Sequence, residues 1–284
     1  MIIPLAFDSF GVRSEATFLP EERILIDPGV ALGPRRYGLP PSKPELLALK
    51  LAKERIAEFG KKAKIVVVTH YHYDHHPYPN DELYEVFKDK IVIAKDIHEN
   101  INPSGKRRGK LFEEQVKERC KELIYGDGGE YYGIEISPAV WHGPVGSKVG
   151  MVVMVRVGKF IHGSDAQALL DPKALEWVIE REPELLIMDG FPTLFLGWKM
   201  SSKLFEQAKE SMMRAVENSK EVIFDHHGVR EEDFKEKNPI FKTGKVKTAA
   251  EFLGKENLLL EAWRKKLHQG MKVDVKGYFA SLKR

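Results

Sequence analysis

The stretch Lys64-Ile65-Val66-Val67-Val68-Thr69-His70-Tyr71-His72-Tyr73-Asp74-His75-His76 decides the fold and points to the chemistry. Residues 64–68 form a β-branched run behind a helical segment, which reads as a strand buried on both faces. That strand delivers the chain directly into a row of metal-ligating side chains. On an extended backbone, residues two apart point the same way, so His70 and His72 can grip one ion together. A turn into a helix after them swings Asp74 and His75 toward a second ion. Imidazole and carboxylate donors suit zinc, and also manganese, iron and cobalt.

Working outward, residues 2–7, 15–19 and 23–26 read as strands, followed by a Gly/Pro-rich loop or flap at 30–43. Residues 44–59 carry apolar side chains at helical spacing. After the histidine tract come a short helix at 81–87, a strand at 91–94 and an amphipathic helix at 111–123. A strand at 135–140 follows, then a hairpin of 149–157 and 159–161 turned at Gly158. Asp171 and Pro172 are a good helix start for 173–180. Strands at 185–188 and 221–224 flank a helix at 202–218. The remainder reads as mostly helical, with a terminal strand at 271–275. One pattern recurs: a short apolar strand stops, and the next residues are His or Asp. It occurs at Asp27, His70, His142, Asp165, Asp189 and His226. Strand ends gathered on one edge make a site rigid at its base and open above.

The four ligands of the tract need partners from elsewhere, and His142, Asp165 and His226 or His227 are the available candidates. Taken singly, His142 reads as a structural histidine and Asp165 as a turn residue; their position after strands favours ligand roles. His98 and His268 read as structural, and His162 as divided between packing and support of the site.

Composition narrows the class. Charged residues make up 31%, rich in Lys and Glu, which is the usage of a heat-adapted protein. Cys120 is the single cysteine, so no disulfide can form within the chain, as suits a reducing cytosol. Residues 2–7 are broken by Pro4 and lack the basic start of a signal peptide. No run reaches the ~18 to 20 apolar residues that span a bilayer. The expectation is a cytoplasmic protein without membrane contact, folded as a single domain over 1–284. The net charge of +3 gives no argument for nucleic acid. The basic stretch Lys106, Arg107, Arg108 and Lys110 reads as a solvated loop before a helix, or as an anion-steering rim.

These residues resemble the metallo-β-lactamase-fold superfamily, and the overall pattern is similar to an archaeal branch of it. Residues 69–75 match its HxHxDH signature with the usual preceding Thr. Leu25-Ile26-Asp27-Pro28-Gly29, Trp141-His142-Gly143, Gly163-Ser164-Asp165 and Asp225-His226-His227 match the other motifs in the family's order. The resemblance implies an α/β (α+β) fold: a four-layer αββα sandwich of two mixed β-sheets flanked by helices, with the site on one edge. It implies His70, His72 and His142 on a first metal, Asp74, His75 and the last His on a second, and Asp165 bridging. The last His is expected to be His226, which follows the strand end by the same step as in related hydrolases, with His227 as the alternative. Asp27 then steadies the histidine tract, and Asp189 is a further supporting or rim residue.

A water shared by two divalent ions loses a proton near neutral pH and becomes a bridging hydroxide. Asp74, beside it, can orient it and pass a proton to the leaving group. The expected function is a metal-dependent hydrolase with two divalent ions, zinc in the first place and manganese or iron otherwise. Its substrate is expected to be a small ester-type, lactone or phosphodiester molecule, anionic if the basic stretch faces the site. Nucleic acid is not favoured, because no inserted domain or long Gly/Pro-rich arm is present. The alternatives are a mononuclear iron dioxygenase-like oxidoreductase and a non-catalytic metal-binding protein.

Overall fold

The structure, a computed structural model, describes residues 1–282. The first sheet is built from β1 (Ile3–Phe7), β2 (Glu15–Leu19), β3 (Ile24–Ile26), β4 (Ile65–Val68), β5 (Ile91–Ala94) and β6 (Glu122–Tyr125), in that spatial order. β1, β2 and β3 form an antiparallel meander, and β3 through β6 run parallel. Every residue of β4 is buried, as its β-branched run requires. The crossover from β3 to β4 passes through α1 (Lys43–Gly60), started by a capping box of Ser42 and Glu45 with Pro44 in its first turn. Ala48, Ala52 and Ile56, spaced by four, bury its inner face.

The second sheet repeats the plan. β7 (Gly129–Tyr131), β8 (Ile134–Ile136), β11 (Val155–Val157) and β12 (Phe160–His162) pair antiparallel; β9 (Val140–Trp141) and β10 (Met151–Val152) form a small separate ribbon. β12, β13 (Leu185–Asp189), β14 (Glu221–Asp225) and β15 (Val246–Lys247) then run parallel. Alternation along these strands defines the layers. Ile187 and Ile223 point into the interior shared with the first sheet. Leu186, Met188, Val222 and Phe224 point the other way, onto α3 (Pro172–Ile179) and α4 (Ser202–Glu217), where Leu175, Val178, Ala208 and Met212 meet them. On the far side, Phe112 and Val116 of α2 (Pro103–Val116) join α1 against the first sheet. The result is a four-layer αββα sandwich with two apolar cores.

Short helices α5 (Phe234–Lys237), α6 (Ala249–Phe252) and α7 (Arg264–His268) lead to α8 (Val275–Ser281), whose Phe279 closes the first core. Arg264 is fully buried and donates to both oxygens of Glu45 at the start of α1, with Nη2 to Oε1 at 2.7 Å. Among the described residues, no helix is long and apolar enough to cross a membrane.

Several boundaries differ from the sequence expectation. The helix expected at 111–123 is α2, which begins at Pro103 behind an Asn102 cap and stops at Val116. Its expected last turn is instead edge strand β6. The basic residues 106–110 therefore lie on a helix, not in a loop. The strand expected at 135–140 breaks at Pro138, which cannot donate to a ladder. The expected terminal strand at 271–275 is irregular and feeds α8.

Candidate metal centre

The strand ends gather on one edge, as the recurring His/Asp pattern requires. β3 ends into Asp27, β4 into Thr69–His76, β12 into Ser164 and Asp165, and β14 into His226. Asp27, Ser164 and His226 each adopt a left-handed backbone, with φ of 50°, 51° and 57°. Such conformations are costly for residues with a Cβ and concentrate where a side chain must be re-aimed. Gly29 makes room for the tract: a Cβ there would lie 2.2 Å from the backbone nitrogen of His76.

Asp165 sits at the focus, fully buried, and its two oxygens face two different groups. Oδ2 lies 2.8 Å from His142 Nε2, 3.3 Å from His70 Nε2 and 3.7 Å from His72 Nδ1. Oδ1 lies 2.9 Å from His75 Nε2 and 3.3 Å from His226 Nε2. Asp74 Oδ2 approaches His226 Nε2 at 3.6 Å. Donor atoms of His70, His72, His142 and Asp165 all lie within 4.8 Å of one another, as do those of Asp74, His75 and His226. His70 Nε2, His75 Nε2, both nitrogens of His142 and both oxygens of Asp165 are buried with no hydrogen-bond partner among the described residues. Buried polar atoms are normally paired. This donor set, orphaned and convergent, fits divalent metal ions.

On the rings of His70, His75 and His226 the far nitrogen is held by a hydrogen bond, which assigns the tautomer. Asp27 accepts from Thr69 N (2.8 Å), Thr69 Oγ1 (2.6 Å) and His75 Nδ1 (2.8 Å), leaving His75 Nε2 directed at Asp165. The His70 Nδ1–H faces the hydroxyls of Thr69 (3.2 Å) and Ser164 (3.4 Å). His226 Nδ1 donates to Asp8 at 2.7 Å. His227 is engaged differently: its Nδ1 and its backbone N–H both donate to Asp189 at 2.9 Å. His226 thus meets both Asp74 and Asp165, while His227 borders the cluster beside Asp165 and His226.

Charges within the cluster are strongly coupled. Burial works against charge on Asp165, but His75, His226, His70 and His142 overcome it and hold its carboxyl well below the usual range. Burial likewise opposes the His75 cation, and Asp165 and Asp27 outweigh it, raising that ring well above the ordinary histidine value. Burial lowers His70 and His142, against the opposing pull of Asp165.

Four participants are given no role by the sequence reading. Asp8 carries His226 and also accepts from Arg230 Nε at 2.7 Å. Arg230 is buried, with Nη2 3.4 Å from both nitrogens of the His226 ring. Asp225 accepts from the backbone of Ser9, His226 and Ala249, tying three segments together behind the site. Glu15 is fully buried, and its carboxylate shares a potential ligand cluster with His75 and Asp165. Asp8 carries the same signal as the recognised residues, since it follows directly on the end of β1. Among the other histidines, His162 donates Nε2–H to the Glu15 carbonyl at 2.9 Å, and His76 Nδ1 donates to the His72 carbonyl at 2.9 Å. His98 and His268 lie outside the cluster: the His98 ring meets Tyr125, and His268 bonds the Pro40 carbonyl.

A narrow cleft with room for about 30 Å³, the space of a water molecule, opens over His70, His72 and His142 and is walled by Asn102, Arg108 and Met151. Of the basic stretch, Arg108 lines this cavity, its Nη1 donating to the Tyr71 carbonyl at 3.3 Å.

Comparison with known proteins agrees with this architecture. The sequence model of the metallo-beta-lactamase superfamily matches residues 16–168. A UPF0282 protein of Pyrococcus horikoshii is 41% identical, covering 97% of this chain and 96% of its own length. A second, from Pyrococcus furiosus, is 42% identical over 94% and 92% of the two chains. A third, from Methanocaldococcus jannaschii, is 39% identical over 96% and 98%. The chain belongs to the metallo-beta-lactamase superfamily and, within it, to the UPF0282 proteins known from archaea.

Proposed function

We propose that this protein is a metal-dependent hydrolase that works with two divalent ions, zinc in the first place, on a small anionic ester, lactone or phosphodiester. The reading rests on one observation: the two oxygens of buried Asp165 are shared between a three-histidine group and a group of two histidines and a second aspartate. His70 Nε2, His72 Nδ1, His142 Nε2 and Asp165 Oδ2 would hold the first ion. Asp74, His75 Nε2, His226 Nε2 and Asp165 Oδ1 would hold the second.

Such a pair supplies a nucleophile from water at neutral pH and polarises the bond under attack. The chain's own residues do the rest. Asp74 is the most solvent-accessible carboxylate of the set, with 15% of its side chain exposed, so it can take the proton released at the mouth and return it to the leaving group. Arg108, across the cavity from His70 and His142, can pair with an anionic substituent and orient it. Arg230, held against His226 and 4.0 Å from Asp74, adds fixed positive charge where negative charge develops.

The test is a panel of phosphodiesters, lactones and carboxyl esters assayed on metal-loaded protein, with metal content measured on the same samples. Turnover that disappears in His72→Ala and Asp165→Ala supports the reading. Stoichiometric iron with oxygen consumption would overturn it in favour of an oxidoreductase. Full metal loading without turnover of any panel member would favour a non-catalytic metal-binding protein.

A further inference from the structure

The metal cluster leaves one buried carboxylate unexplained. Glu15 opens β2, pairs with Phe7 of β1, and is 0% exposed. Its backbone carbonyl is fixed twice, by His162 Nε2 at 2.9 Å and by Thr17 Oγ1 at 3.0 Å. Its side chain is not: neither oxygen has a hydrogen-bond partner among the described residues. The charged groups facing it are Asp189, Asp165, His75 and Asp27. Three are carboxylates and can offer an anion nothing. The fourth, His75, has Nδ1 engaged by Asp27 and Nε2 directed at Asp165 Oδ1. Burial, with Asp189 and Asp165 beside it, pushes the Glu15 carboxyl well above its ordinary range, so the group either holds a proton or is answered by a cation. The position between His75 and Asp165 is the place where a cation would answer it: an oxygen of Glu15, a ring nitrogen of His75 and an oxygen of Asp165 all lie within 4.8 Å of one another.

We propose that Glu15 supplies a third carboxylate to the second metal position, from the core side, and makes that position favour a harder ion than the first. The proposal rests on the two-ion reading above and adds the unequal chemistry of the two positions. The first is nitrogen-rich, with three imidazoles and a share of Asp165, which suits zinc. The second has two imidazoles against Asp74, Asp165 and Glu15. Carboxylate-rich oxygen sites discriminate less against manganese and other hard divalent ions. Zinc remains the stronger binder in absolute terms, so the difference is one of relative affinity.

The experiment uses full-length protein stripped of metal, loaded with one equivalent of zinc, then titrated with manganese. Bound manganese is read by electron paramagnetic resonance and zinc by elemental analysis. In the wild type, the second equivalent is taken up as manganese. Glu15→Gln, which keeps the shape and removes the charge, weakens that manganese binding tenfold or more and affects a second zinc less. Glu15→Asp, which keeps the charge but withdraws it by one methylene, falls between the two. Equal second-ion affinity in wild type and Glu15→Gln, or a loss confined to the first zinc, overturns the role of Glu15 alone. A wild type that binds fewer than two ions overturns the two-ion reading and this proposal with it.

Discussion

Replacing Asp27 by Asn changes one atom and should rewire the centre. Asn tolerates the left-handed backbone at this position as Asp does, so the comparison isolates the side chain. Asp27 Oδ1 accepts from Thr69 N, and Oδ2 accepts from Thr69 Oγ1 and His75 Nδ1, all of them buried. An amide that keeps its oxygen toward Thr69 N turns its NH2 toward His75 Nδ1. Two donors then face each other. The ring relieves the conflict by carrying its proton on Nε2, the atom 2.9 Å from Asp165 Oδ1. A protonated nitrogen cannot ligate a metal. Loss of such a supporting partner typically weakens metal binding about 10- to 100-fold, or about 1.4 to 2.7 kcal/mol. The effect should fall on the second ion, because the His70 Nδ1–H is held by the hydroxyls of Thr69 and Ser164. Chelator competition measures both affinities, and nitrogen-detected NMR of the imidazoles reads the His75 tautomer. If Asp27→Asn binds the second ion within twofold of the wild type, the tautomer argument fails.

Other substitutions test separate parts of the arrangement. His226→Ala should lose one metal equivalent while His227→Ala keeps both, because His226 faces Asp74 and Asp165 and His227 is held by Asp189; the opposite pattern in elemental analysis would exchange their roles. Asp8→Ala leaves Arg230 buried without its carboxylate, a change of about 3 to 5 kcal/mol for a broken buried pair, visible as a large fall in denaturant midpoint. Arg108→Met should lower kcat/KM on anionic substrates about 10- to 100-fold, the worth of one charged hydrogen bond, while neutral analogues hardly change. Acid stability should depend on the Arg13–Glu261 pair, whose side chains are 24% and 12% exposed. Burial opposes the Glu261 charge, but the bidentate Arg13 lowers its carboxyl from 4.5 to about 2. A depressed folded pKa gives stability that is complete above pH 4.5 and is lost as pH falls toward 2, about 3 kcal/mol in all. Glu261→Gln should flatten chemical denaturation against pH within that window; an unchanged slope would refute the assignment.

The sandwich and the convergence at its edge were legible because both rest on local signals. Most of the short apolar strands followed at once by His or Asp, those before Asp27, His70, Asp165 and His226, run in the parallel parts of the sheets, and the fold brings such ends to one edge. What the sequence hid depends on distance along the chain or on ambiguous local patterns. Asp8 and His226 are 218 residues apart, and nothing near Asp8 announces a histidine partner. Glu15 looks like the polar first residue of a strand until the interior charges around it are known. The start of β6 reads as the end of a helix because Glu122 and Leu123 continue the periodicity of 111–123, and only pairing with β5 makes it a strand. The true start of α2 was readable at Asn102-Pro103, a cap followed by a first-turn proline.

The carboxylates at the sheet edge come from both halves of the chain, and this has a bearing on how the protein is made. Asp8, Glu15 and Asp27 leave the ribosome long before Asp165, Arg230 and the last histidines, and the chain folds from its N-terminal side as it is synthesised. Asp27 finds its partners within the first sheet, at Thr69 and His75, whereas Asp8 gains Arg230 and His226 only when the second sheet docks. Completion of the centre is therefore coupled to closure of the two sheets: the first supplies half a cage, and Asp165 and the last histidine arrive with the second.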